Sequence, residues 1–181
     1  MASRSGKMVD GTDGTDYQHR ERVAAQYQVS AKNKSRLKLF VFIHWLMGGI
    51  HILRLLPSDI LPLPPFPAPT EIDYAWLISL PFTLVAVSAC RKSKPGGLNV
   101  FQFAILGVGI CPLLITLFFC SPDVLQVIVS GSTKGLFMWN GYPFGLMWSM
   151  FCVFCVLVHI AEIAVARTLM AAWAPRHGKK A

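Results

Sequence analysis

The residues of this chain best able to do chemistry sit in its greasiest stretches. Cys152 and Cys155 form a CxxC, and His159 and Glu162 follow one helical turn apart in the same apolar run. In a soluble βα setting a CxxC points to disulfide exchange, which requires a thiolate. Lipid disfavours that ion, so packing is the expectation for this pair, and buried free thiols for Cys90, Cys111 and Cys120. His159 and Glu162 can meet across a turn, and His44 from an earlier apolar run can join them to share a proton or bind a cation. His51 falls seven residues after His44, on the same helix face, and Arg54 can reach toward an interface.

Other candidates are weaker. Gly141 and Gly145 make a GxxxG, but Pro143 lies between them. Asn33-Lys34-Ser35 matches a glycosylation sequon, yet it stands close to an apolar run on the side expected to be cytosolic. Asp10, Asp13 and Asp16 are three apart, where an EF-hand needs a spacing of two. There is no Gly-rich phosphate loop, nucleophile elbow or zinc-protease helix motif in the sequence, so neither an enzyme nor a cofactor is expected.

The elements that must position these residues are transmembrane helices. Hydrophobic residues make up 54% of the chain and fall in blocks too long for a soluble core. Four blocks are long enough to cross a bilayer: Leu39 to Leu56, Tyr74 to Cys90, Leu98 to Cys120 and Phe144 to Ala166. Backbone groups in lipid must be satisfied within the segment, so all four are read as helices, with Pro81 and Pro112 as kinks. The fold class is an all-α membrane protein, four transmembrane helices in a small bundle preceded by a cytosolic N-terminal helix. Its three regions are a segment over 1–38, the spanning domain over 39–166 and a basic tail over 167–181. The first 38 residues are polar and carry no signal peptide, so the first span must also target the chain. The first two spans are short, as suits a thin bilayer such as that of the endoplasmic reticulum.

Charge sets the expected orientation. Of the 17 Lys and Arg residues, only Arg54 and Lys134 fall on the side of the first and third connections. The rest flank the chain ends or the second connection, at Arg91, Lys92 and Lys94, so both termini are expected in the cytosol. Trp76 and Trp139 at lumenal span ends, and Trp173 beyond the fourth span, read as interfacial anchors. The net charge of +8 then belongs to a collar facing membrane lipid, with no nucleic-acid partner. The proline-rich first connection should be a stiff strap, and Val124 to Val129 in the third a short interfacial helix or half-buried loop.

Ahead of the first span, Thr15 and Gln18 have capping-box spacing, which predicts a helix from about Asp16. Val23 and Tyr27, with Ala24 and Ala31, make a narrow apolar stripe beside Arg20, Glu21, Arg22 and Lys34, a candidate cytosolic interaction segment. The stretches GTDGTDYQHRERVAAQYQVS and NKSRLK closely resemble the start of Jagunal proteins. LFMWNGYPFGLMW, leading into the span that contains VLVHIAE, resembles the family too. That resemblance implies a non-catalytic, multi-pass membrane protein of the endoplasmic reticulum. It would support organisation of the reticulum, vesicle-mediated transport and exocytosis in the secretory pathway, with vesicle coat or secretory-pathway proteins as partners of its N-terminus and tail. Family members can end in a dilysine retrieval signal at the third and fourth places from the carboxyl end. Here Lys179 is third, Lys180 second and Gly178 fourth, so the candidate signal is only partly in register. The alternative function is a small-ion or proton transporter using His44, His159 and Glu162.

Overall fold

The computed structural model describes residues 15–56, 66–67 and 69–173. Four helices in it are long and apolar enough to cross a membrane. The first, α1, is unbroken from Thr15 to Leu55. Its leading half is rich in Ala, Gln, Lys and Arg, strong helix formers that carry the turn straight into the apolar run. Near its far end Gly48 is needed for close packing, since a Cβ there would lie 2.8 Å from the Leu80 side chain.

The second span consists of α2 (Glu71–Leu77) and α3 (Ser79–Lys92), parted at Ile78. Pro81 explains the break, because it cannot donate to the carbonyl of Leu77. A tight turn follows, with Ser93 left-handed (φ 50) and the Lys94 N–H on Ala89 O at 3.0 Å. Pro95 then starts the third span, which is α4 (Pro95–Ala104), a π-helical turn (Ile105–Ile110) and α5 (Cys111–Ser130). The wide turn immediately precedes Pro112, where a proline interrupts the backbone ladder. α5 also runs through Pro122, whose missing N–H frees the Phe118 carbonyl, and the Ser121 hydroxyl donates to that carbonyl at 2.7 Å. Val124 to Val129, expected to be a separate short element, therefore continue the helix.

A two-residue hairpin, β1 (Met138–Trp139) and β2 (Tyr142–Pro143), leads into α6 (Phe144–Trp173). Its turn residues Asn140 and Gly141 have φ of 50 and 84, the positive pair a type I′ turn demands. Gly141 thus serves the hairpin, and Gly145 packs against Asp123 of α5. The GxxxG spacing between them has two local explanations.

In the bundle α6 packs on α1, α4 and α5, while α3 packs on α1 and α4, so the first and third spans sit on a diagonal. Two apolar layers form the core. One holds Leu37, Ala86, Leu98, Phe101, Ile105 and Ala166, near the end where α4 begins and α6 finishes. The other holds Met47, Trp76, Leu113, Trp148, Cys152 and Cys155, toward the far end.

Candidate functional site

Between these layers lies a polar cluster drawn from every side of the second, first and fourth spans. His44 comes from α1, Trp76 from α2, Ser79 from the first residue of α3, and His159 and Glu162 from adjacent turns of α6. His44, His159 and Glu162 are completely buried. Gly109 in the π-helical turn of the third span closes over the His159 ring, where a Cβ would stand 3.4 Å from the imidazole. The break in the second span and the wide turn in the third thus both occur where their helices meet the cluster.

Its hydrogen bonds follow from donor chemistry. Glu162 Oε1 lies 3.3 Å from His44 Nδ1, and Oε2 lies 3.1 Å from His159 Nδ1. The Trp76 indole N–H donates to His159 Nε2 at 3.1 Å. An indole nitrogen can only donate, so His159 Nε2 accepts, and the neutral ring carries its proton on Nδ1, aimed at Glu162. His44 Nε2 meets the Ser79 hydroxyl at 3.0 Å. A single unpaired charge among apolar layers is heavily penalised. One proton shared between His44 and Glu162 leaves the cluster neutral, as imidazolium with carboxylate or as imidazole with carboxylic acid.

The two histidines and the glutamate also bring three donor atoms within 4.8 Å of one another, close enough for a metal ion. An ion held through His159 Nδ1 would move that proton to Nε2. There it would face the indole N–H, donor against donor, whereas a metal-bound histidine normally gives its other N–H to an acceptor. The Trp76 contact therefore suits a hydrogen-bonded clamp better than a cation site. Apolar residues Met47, Val158 and Ile163 flank the cluster along the bundle, so within the described residues it is enclosed.

A second polar group marks the far end. Arg54 donates to Asp73 Oδ1 at 2.8 Å, and Asp73 Oδ2 accepts from the Thr70 N–H at 2.7 Å, capping α2. The Arg54 guanidinium stacks 4.3 Å from the Trp148 ring centre, and His51 Nε2 meets the Asp73 carbonyl at 3.1 Å. At the other end of the bundle α1 stands beside α6. Ser30 accepts from the Trp173 indole at 2.8 Å, Gln26 donates to the Ala172 carbonyl, and Lys34 reaches Ser93 at 2.8 Å. The neighbouring face of α1 carries Arg20, Val23, Ala24, Tyr27 and Gln28 around a shallow concavity, with Tyr27 76% exposed.

The sequence-predicted residues are therefore placed as follows. His44, His159 and Glu162 come together, and Arg20, Glu21 and Tyr27 lie exposed on α1. Arg22 is on the same helix, its side chain not among those described; Lys179 and Lys180 lie outside the described residues altogether. Cys152 and Cys155 are free and buried, with the Cys155 thiol 3.5 Å from Met47 Sδ. Arg54 is buried in an ion pair, whereas sequence position suggested a reach toward the interface. Trp76, expected to be an interfacial anchor, is 1% exposed and holds the cluster together. Sequence reasoning missed it and Ser79. The only available signal was that Trp76 and Ser79 are three residues apart beside a proline-broken turn.

A family model described as "Jagunal, ER re-organisation during oogenesis" matches residues 1–177. The chain belongs to the Jagunal family. Three of its Jagunal relatives align over nearly their whole length. Protein jagunal of Drosophila melanogaster is 37% identical, with 97% of this chain and 96% of that one covered. The protein jagunal homolog of Caenorhabditis elegans is 31% identical over 97% and 98% of the two chains. Protein jagunal homolog 1 of Homo sapiens is 28% identical over 96% and 94%. Family membership and four membrane-length helices together give an endoplasmic reticulum membrane protein with a role in that organelle's organisation.

Proposed function

We propose that the protein is a non-catalytic scaffold supporting vesicle-mediated transport and exocytosis from the endoplasmic reticulum, with both termini in the cytosol. The observation that carries this reading is the division of labour along α1. One face of its leading half is clamped to α6, while the neighbouring one offers an exposed Val23, Ala24 and Tyr27 stripe ahead of the apolar run that starts at Leu39. From Tyr27 to Lys38 the helix rises about 16 Å, which lifts the stripe out of the headgroup layer and toward protein partners. The enclosed His44, His159 and Glu162 cluster supports the same reading. It ties three spans together through satisfied hydrogen bonds and is flanked by apolar layers where a transporter would need a polar path.

The test is rescue of secretion in cells lacking the protein. Val23→Ser with Tyr27→Ser should abolish rescue at normal abundance, because both side chains are exposed and neither supports the bundle. Full rescue by the double variant would remove the stripe from the account.

A further inference from the structure

We propose that the far-end extension of α5, residues 124–130, is a lipid-binding surface covered by acyl chains of the adjoining leaflet. The apolar belt of the bundle is then deeper at the third span than at the first. This inference depends neither on the scaffold reading nor on which compartment the far end faces.

Contacts at the far end define a common level. Arg54 pairs with Asp73 and lies 5.4 Å from the Phe144 ring centre, and Asp123 packs against Gly145 at the start of α6. At this level α1 stops, α2 begins and α6 begins. α5 does not stop. It continues to Ser130, about 10 Å further at 1.5 Å per residue.

The extension is amphipathic, and its two faces have different surroundings. Asp123 and Gln126 lie on the inner face, where Gln126 donates to the Lys134 carbonyl at 2.9 Å. Leu125, Ile128 and Val129 point outward, the last two 71% and 80% exposed. Counting back from Val129 by helical steps, Leu125, Phe118 and Leu114 share that outer face. It is the lipid-facing side of the span, and it carries no charged residue from Cys111 to Val129. Continuity with that side identifies the occupant as acyl chain.

Depth makes the consequence concrete. α1 stops at the level of Asp123, and from there to Val129 the third span carries about 9 Å more apolar helix. Because the two helices lie on a diagonal, lipid meets a shallow belt on one flank and a deep one on the other. A bilayer accommodates such unequal depth by local changes in thickness and tilt.

The full-length protein in phosphatidylcholine liposomes tests this directly. One sample carries phosphatidylcholine with a diazirine in its acyl chain, and a second is exposed to a water-soluble diazirine. Adducts are mapped by mass spectrometry of peptides. Leu125, Ile128 and Val129 should be labelled by the acyl reagent and spared by the aqueous one, because an apolar face within the hydrocarbon is out of reach of water. Acyl adducts that stop before Asp123, with aqueous label beyond it, would overturn the proposal. So would a segment labelled by neither reagent, which would mean that a second copy or the chain's own connecting strap covers it.

Discussion

Truncating Glu162 separates a structural clamp from a charge-dependent site, because alanine and glutamine remove different things. In Glu162→Ala, the nitrogens 3.3 Å and 3.1 Å away on His44 and His159 lose their partners in a fully buried place. Each unpaired buried group costs about 1–3 kcal/mol, so the variant should lose roughly 2–6 kcal/mol. In Glu162→Gln the carboxamide oxygen can accept from His159 Nδ1–H while its NH2 donates to His44 Nδ1. The His44 proton then sits on Nε2, directed at Ser79. Both histidine nitrogens stay paired and the cluster stays neutral, so the loss should remain under about 1 kcal/mol. Equilibrium unfolding of the full-length protein in lipid nanodiscs, followed by steric trapping, measures both. A glutamine variant as unstable as the alanine variant would refute the reasoning, since the site would then require the negative charge itself. An alanine variant of unchanged stability would refute it equally.

Other predictions concern the far end, orientation and tail. Arg54→Ala leaves the Asp73 carboxylate buried and unpaired, so it should cost about 3–5 kcal/mol. Amide exchange at 71–77 should rise with it, because Asp73 also caps α2. Tags on both ends of the chain should be digested by protease added to sealed microsomes, and protection of either end would contradict the cytosolic placement. Replacing Lys179 and Lys180 with serine should move only part of the protein to the Golgi by fluorescence colocalisation, since a lysine is missing from the fourth place. Complete escape would show that the tail alone sets residence.

The four spans were legible because lipid permits only long apolar helices, and length with hydropathy reveals them. The meeting of His44, His159 and Glu162 was legible in part. Helical spacing pairs the two α6 residues, but the approach of His44 depends on packing between spans. Trp76 was misread for an instructive reason. A tryptophan near a span end usually anchors at the interface, but here α2 already begins at Glu71, more than a turn earlier, so Trp76 lies inside the bundle with its indole turned inward. The continuity of α5 through Pro122 was hidden because a proline followed by an aspartate looks like a stop. Only the Ser121 hydroxyl on the Phe118 carbonyl shows how the helix absorbs it. The clamp between Ser30 and Trp173 joins residues at opposite ends of the chain, a pairing that no local pattern encodes.

The central claim is that the buried histidine and glutamate cluster holds the bundle together for a scaffold and does not move ions. Secretion rescued by Glu162→Gln in cells lacking the protein, scored at matched abundance, tests it most directly. The account predicts rescue close to that of the wild type. A variant that folds, reaches the endoplasmic reticulum at normal level and yet fails to restore secretion would contradict it.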